Sequence, residues 1–226
     1  MDKLFPFKKR FFQKHPNGVE RKADTLNWTI KVVCEKCNNT WMSEIEQQHA
    51  MPVMTPLILG VTGTVIPQLQ ADSISLFAFK TAVVLSCIDR KRQSFFPRYV
   101  RHGFRTNRGI PLNTRMWLAG YGLFEQGNVK TVYHEGKLST SHGVQLYTCT
   151  FSAGHFVFQT MSLKYFFGPQ VAIRPRDDRF EFLAVPFWPS IPSGVVWPLS
   201  HVLGNQSDFE AFAERWRSVL VQRASG

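Results

Sequence analysis

An alternation of apolar and polar residues from residue 116 to residue 163 predicts four β-strands. They are expected at residues 116–121, 129–134, 144–151 and 156–163. Ser152-Ala153-Gly154 predicts a tight hairpin between the last two strands. Two more strands are predicted at 170–173 and 179–185, and the Pro- and Trp-rich residues 186–198 are predicted to form an ordered irregular loop.

Two helices frame this region. Residues 74–87 are apolar on nearly every face, which predicts a central buried helix capped by Asp72 or Ser73. Lys80 interrupts this surface. We expect it to reach solvent, the alternative being a lysine held for a phosphate or carboxylate. Ser207-x-x-Glu210 predicts a capping box for a C-terminal helix. The apolar positions expected to face the core are Phe209, Phe212, Trp216, Val219 and Leu220.

A stretch rich in proline and glycine, residues 50–70, predicts a connector between two units. Residues 1–50 are interpreted as a small zinc-knuckle region. Residues 51–226 are interpreted as a domain with a buried helix, an antiparallel sheet and a closing C-terminal helix. The predicted fold class is therefore α+β.

The most specific motif lies in the first unit, where Cys34-x-x-Cys37 follows a predicted strand at 28–33. Asn38, Asn39 or Thr40 is expected to cap the next helix, with Trp41, Met42 and Ile45 turned inward. Two cysteines at this spacing are typical of half of a tetrahedral zinc site.

The other half of that site is not evident. His15 and His49 are the nearest imidazoles, but neither has a familiar spacing. A metal-free remnant of a knuckle is one alternative. A thioredoxin-like redox pair is another, although the βαβ context is missing.

Charge adds a second kind of candidate. The formal net charge is +11, which favours polyanionic partners or serves only solubility. Residues 90–115 contain eight arginines and lysines, no acidic residue, and interleaved aromatic residues, a composition that can hold phosphates and stack bases. The alternative is a solvated surface. The predicted nucleic-acid-binding residues, in this window and in the basic N-terminal segment, are Lys8, Lys9, Arg10, Arg98, Arg101, Arg105 and Arg108.

Cellular location is inferred from cysteine usage and hydropathy. The four cysteines do not suggest a disulfide framework, which suits a reducing compartment. No signal sequence is recognised, and the most apolar helix is too short to span a bilayer. A soluble cytoplasmic protein without a membrane partner is expected.

The Cys34 segment, Cys-x-x-Cys-Asn-Asn-x-Trp-Met-x-x-Ile-Glu, resembles the second knuckle of bacterial HNH-endonuclease-like proteins. In that group a Pro-rich connector, an apolar Ala-x-Lys-Thr-Ala helix and a β-rich half follow the knuckle. Residues 78–82, 116–119 and 197–198 match short segments of that pattern in the same order. The resemblance covers most of the chain, but only the knuckle with its helix is specific.

The resemblance implies an upstream Cys-x-x-Cys and an acidic-His pair followed by proline. In such enzymes the histidine activates water, and one divalent metal such as Mg²⁺ stabilises the phosphate. Here the segment at residues 2–6 has Lys3 at the base position, and lysine is normally protonated at neutral pH. Asn38 matches the family's late metal-binding position, and Asn27 is a looser candidate for its middle Asn, so the resemblance implies these two as candidate catalytic residues.

Two functions are therefore carried forward. The first is an HNH-endonuclease-like DNA-binding protein with structural zinc at Cys34 and Cys37. On the chain as given, this protein is expected to be catalytically incomplete, and a metal-dependent endonuclease only if the missing elements exist upstream. The second is a non-catalytic protein- or ligand-binding module whose knuckle is purely structural.

Overall fold

The computed structural model of the protein describes residues 11–14, 20–23, 32–88, 95–122, 129–137, 144–164, 171–175 and 179–223. Within these ranges, α-helices and mainly antiparallel sheets are both present, so the predicted α+β class is confirmed. The HNH-like knuckle fold named with it stays a prediction.

Within the described residues, four of the five α-helices lie in the N-terminal half of the chain and nine of the twelve strands lie in the C-terminal half. The helices are α1 Glu35–Cys37, α2 Met51–Ile58, α3 Gln68–Leu85, α4 Arg98–Asn107 and α5 Gln206–Glu214, with π-helical segments Asn38–Met42 and Ile45–Ala50 between α1 and α2, and a 3₁₀ turn Arg215–Arg217 after α5. The strands are β1 Phe11–Lys14, β2 Glu20–Ala23, β3 Thr64–Val65, β4 Thr114–Tyr121, β5 Val129–Lys137, β6 Gln145–Ala153, β7 Phe156–Lys164, β8 Val171–Pro175, β9 Ala184–Trp188, β10 Val196–Trp197, β11 Val202–Leu203 and β12 Val219–Arg223.

The main sheet has eight strands in the order β11-β4-β7-β6-β5-β1-β2, with β9 also paired to β4. The long strands β4 to β7 are antiparallel, whereas the short β1–β5 and β11–β4 pairings are parallel. Each of these four long strands agrees with its predicted range to within three residues at either end. The predicted hairpin between β6 and β7 is also confirmed, with Gly154 at φ +54° in its turn.

Both faces of the central strands are covered, which explains why β6 and β7 are buried almost from end to end. On one face, Phe158 packs against Phe77 of α3, with ring centroids 6.0 Å apart. On the other face, Tyr121 of β4 packs against Phe209 of α5. Period-2 alternation therefore directs successive side chains to two different apolar cores.

A buried polar network joins this sheet to the chain after α5. Gln159 of β7 is fully buried. Its amide nitrogen donates to the Thr150 hydroxyl at 2.8 Å and to the Phe212 carbonyl at 3.0 Å. Its amide oxygen accepts from Arg215 Nε at 2.7 Å and from Trp216 Nε1 at 2.8 Å. The network satisfies both ends of an amide that would otherwise be costly to bury.

Several boundaries in the C-terminal half differ from prediction. Residues 179–183 form turns rather than a strand, and β9 and β10 occupy parts of the predicted irregular loop. The cap of α5 is Asn205, whose side chain accepts the Asp208 N–H at 2.9 Å, not Ser207. Val219 and Leu220 lie in β12, because the helix ends before them and the chain pairs with β8 instead.

The predicted connector was wrong over residues 51–58, which form α2. Pro52 lies in its first turn, where π-helical bonding gives way to α-helical bonding and a missing N–H is tolerated. Helix α3 begins at Gln68, after Pro67 rather than Asp72 or Ser73. It is buried as expected. The proposed unit boundary at residue 50 stays a prediction; in the structure Ala50 and Met51 are consecutive residues of helical segments.

Lys80 of α3 does not extend to solvent as predicted. Its side chain is 8% exposed, and its ammonium group forms an ion pair with Glu46 of the second π-helical segment. The ammonium also lies 4.7 Å from the centre of the Phe77 ring. Burial lowers the pKa of Lys80, and the Glu46 carboxylate opposes that shift. The alternative interpretation, a lysine held for a carboxylate, describes this contact.

Candidate nucleic-acid interface

The Cys-x-x-Cys motif begins a helix. Cys34 has extended backbone angles, and its thiol accepts the Cys37 N–H at 3.3 Å, so the sulfur caps α1. The predicted caps Asn38, Asn39 and Thr40 were wrong, because the helix begins earlier, at Glu35. Of the predicted strand at 28–33, residues 32 and 33 form a turn and bend, and the rest lies outside the described residues.

The cysteines differ in acidity. Hydrogen bonds from the Cys37 side chain and backbone lower the pKa of the Cys34 thiol, and the positive charge of Arg105 lowers it further. Cys149 is the opposite case, because complete burial inside the sheet raises the pKa of its thiol. All four cysteines lie in the described ranges and all are thiols. The Cys34 thiol is therefore exposed, and its lowered pKa favours the thiolate.

Helix α4 presents a basic surface beside this motif. Phe104 is its one buried residue and anchors it through edge-to-face contacts with Phe79, at 4.9 Å, and Trp41, at 5.7 Å. The helix ends at Arg108, which adopts a left-handed conformation at φ 58° and donates its backbone N–H to the Phe104 carbonyl. Phe104 is fully buried and Val100 is partly buried against the same core, whereas most other positions of α4 are exposed.

Three arginines occupy one face of α4. Arg98, Arg101 and Arg105 follow a spacing of three and four residues, so they lie one above another on successive turns. All three are exposed, and α4 contains no acidic residue. His102 is also exposed. This face is therefore a row of cations without a carboxylate on the same helix.

The motif and the arginine row meet in one pocket of about 710 Å³, which we call the α4 pocket. Its wall comes from the Cys34 turn, the first π-helical segment, the end of α3, and α4. The lining residues are Val32, Val33, Cys34, Cys37, Trp41, Met42, Val83, Val84, Cys87, Arg98, Arg101, His102, Phe104, Arg105 and Thr106. Within this lining Arg101 Nη1 donates a hydrogen bond to Cys87 Sγ at 3.6 Å.

The predicted site residues divide into three groups. Arg98, Arg101 and Arg105 come together at the α4 pocket. Arg108 instead pairs with Glu44 at 3.2 Å and lies over the Trp41 ring, so it supports the site from outside. Lys3, Lys8, Lys9, Arg10 and Asn27 lie outside the described residues, as do residues 89–94 of the basic window.

Asn38 is exposed and is not part of the pocket lining; its amide donates to Asn39 Oδ1 at 3.3 Å. His49 is likewise exposed and away from the pocket, and His15 is not described. Among the described residues, no three His, Cys, Asp or Glu side chains are placed to hold one metal ion. Cys34 and Cys37 are the residues that could supply two thiolates to zinc, and Cys87 lines the same pocket.

Sequence reasoning missed Cys87 and His102 as members of this site. Both lie more than fifty residues after Cys34 in the chain, and the fold brings them into the same pocket. No local pattern reports such a contact. The only sequence pattern that pointed to this site was the mixture of aromatic and basic residues in α4.

Comparisons with known proteins add no relative to this picture. A scan against protein-family models, a search of curated proteins and a search of solved structures each found no match. Over the described residues, none of the helices has the length and apolar character needed to cross a membrane. Function is therefore inferred from the residues of the site.

Proposed function

We propose that this protein binds nucleic acid, and DNA in particular, through the arginine face of α4. The observation that carries the proposal is the alignment of Arg98, Arg101 and Arg105 on successive turns, all exposed and all lining one pocket. Guanidinium groups bind phosphate with two parallel hydrogen bonds, which makes arginine well suited to a phosphate backbone. The net charge of +11 supports the same partner.

The HNH-endonuclease-like assignment is part of this proposal. Its support is the sequence resemblance around Cys34 together with the position of Cys34 and Cys37 beside the arginine face. A structural zinc ion bound by these two thiolates would link the start of α1 to the remaining zinc ligands. A divalent cation such as Mg²⁺ would be needed only for catalysis, and the chain as given offers Lys3 at the base position. The thiol state of all four cysteines supports a cytoplasmic location.

A second candidate function, a non-catalytic module that binds another protein, is favoured by exposed apolar side chains around the β3–β10 pair. Val65 and Val196 are register partners there and are about half exposed. Leu69, at the start of α3, is 78% exposed. Substituting Leu69 by Ser tests this candidate, because it would weaken a protein complex without changing DNA affinity.

The direct test is DNA binding by a variant in which Arg98, Arg101 and Arg105 are all changed to Gln. Each phosphate contact contributes about −0.9 to the slope of log affinity against log salt, so the loss of three contacts should weaken binding roughly 500-fold at about 0.1 M salt. The measurement is fluorescence anisotropy with a labelled 20-mer duplex and the matching single strand.

The matched control changes three exposed arginines elsewhere, Arg174, Arg179 and Arg217, to Gln. It removes the same net charge. Equal losses in the two triple variants would contradict a localised interface and leave only general charge attraction. Absence of binding by the unmodified protein at low salt would refute nucleic-acid binding itself.

A further inference from the structure

The α4 pocket combines two chemistries that a phosphate site alone does not require. Its interior is formed largely by apolar side chains: Val32, Val33, Met42, Val83 and Val84, with the rings of Trp41 and Phe104. Its volume of about 710 Å³ falls in the range of pockets that enclose small organic molecules. Phosphates on the arginine row would leave this apolar interior unused.

The charged residues of the lining are of one sign. Arg98, Arg101 and Arg105 line the pocket, and no Asp or Glu is among its described lining residues. The matching occupant has an apolar body and more than one negative charge, because the cations are spread along about two turns of helix rather than gathered at one point. A fatty acid, with a single carboxylate, would leave two of the arginines without a partner.

We propose that the α4 pocket accepts an unpaired base of a nucleic-acid strand while the three arginines hold the phosphates that flank it. This inference rests on the proposed function and specifies its substrate. Bases offer flat apolar faces that bind aromatic and apolar walls whatever their identity, and phosphates supply the repeated negative charge. The occupant is thus a strand and not a free anion.

The proposal predicts a preference for single strands. A base within a duplex is stacked and paired, so it must be extruded at a cost before it can enter a pocket, whereas a single-stranded base is already available. The pocket should therefore distinguish a strand with bases from one with the same phosphates and no bases. A surface that binds phosphate alone would treat these two strands alike.

The test compares three labelled 12-mers by anisotropy: a single strand, its duplex, and a single strand whose central four sugars lack bases. The unmodified protein is expected to bind the single strand at least tenfold more tightly than the abasic strand and the duplex. Thr106 lines the pocket and is exposed, so Thr106→Trp should occupy the pocket without disturbing the core. The matched control is Asn107→Trp, at the next exposed position of α4, which is not among the pocket-lining residues.

Thr106→Trp is expected to remove the tenfold advantage of the base-containing single strand over the abasic strand. Asn107→Trp should leave all three affinities within twofold. Equal binding of the single and abasic strands by the unmodified protein would overturn the base pocket while leaving nucleic-acid binding intact. Equal competition by polyglutamate of the same charge would also overturn it. Failure to bind any of the three oligonucleotides at low salt would refute the proposed function instead.

Discussion

The Lys80–Glu46 ion pair predicts an unequal response to loss of its two partners. The Lys80 side chain is 8% exposed and that of Glu46 is 39% exposed. Changing Glu46 to Gln leaves a buried ammonium group without its counter-ion, whereas changing Lys80 to Met leaves a carboxylate that water can reach. The first change should therefore destabilise the protein far more than the second.

The magnitudes follow from the burial of each partner. Removing one partner of a fully buried pair costs about 3–5 kcal/mol. Because Glu46 is partly hydrated, we expect about 2–3 kcal/mol for Glu46→Gln. Lys80→Met removes the desolvation cost along with the pair and keeps an apolar contact with Phe77, so its free energy of unfolding should change by less than about 1 kcal/mol. The double variant should be close to Lys80→Met.

Urea unfolding followed by tryptophan fluorescence measures these differences as shifts of the midpoint at constant slope. A pH series adds an independent check. The folded-state pKa of Lys80 is lowered from its ordinary value of 10.5, so the unfolded chain binds more protons between the two values. Stability should therefore rise as the pH rises through the lowered pKa toward 10.5, and Lys80→Met should lose this contribution. A Glu46→Gln protein as stable as the unmodified one, or less affected than Lys80→Met, would refute the reasoning.

Three further predictions concern the metal, the buried network and a turn. Elemental analysis of the purified protein should find about one zinc per chain. The double variant Cys34→Ser, Cys37→Ser should lose the zinc and should melt at a lower temperature. Absence of zinc from both proteins would refute the structural site. Gln159→Leu should lower the free energy of unfolding by about 2–4 kcal/mol, because it leaves several buried polar groups without partners. Urea unfolding measures this loss, and a value below about 1 kcal/mol would contradict the importance of the network. Gly60→Ala should lower the free energy of unfolding more than Gly63→Ala. Both glycines have positive φ, so each substitution should cost about 1–2 kcal/mol of backbone strain. A Cβ at Gly60 would in addition lie 2.6 Å from the His155 ring. Equal melting temperatures for the two glycine variants would show that this contact is relieved without cost.

The strands that form the centre of the sheet were predictable because their side chains alternate between two apolar cores. Residues 156–163 contain β-formers at both sets of positions, and both sets are buried. The fold class follows from such local patterns, whereas the order of the strands in the sheet does not. The contacts of β9 and β11 with β4 depend on long returns of the chain, and nothing local in those segments specifies which edge they join.

Helix starts were the least accurate predictions, for a physical reason. Ser, Thr, Asp and Asn are the usual caps, and the sequence offers them after Cys37 and within α3. In the structure a cysteine thiol caps α1 and Pro67 precedes α3, so other groups begin these helices. The burial of Lys80 was missed for a different reason, since its partner Glu46 is thirty-four residues earlier.

The candidate site was predictable in part. A run of arginines without acids indicated a phosphate-binding segment, and Arg98, Arg101 and Arg105 do share one face of α4. Arg108 belongs to the same run but takes a left-handed cap position that directs it to Glu44. The pocket behind the arginines depends on the approach of α3 and the Cys34 turn, and the sequence contains no local signal for that approach.

The central claim is that α4 binds nucleic acid, and salt dependence tests it most directly. The measurement is DNA affinity between 50 and 200 mM salt for the unmodified protein and for the variant with Arg98, Arg101 and Arg105 changed to Gln. We predict that the negative slope of log affinity against log salt becomes shallower by about 2–3 in the variant, since three phosphate contacts are lost. An unchanged slope would contradict the account, because it would place the phosphate contacts outside α4.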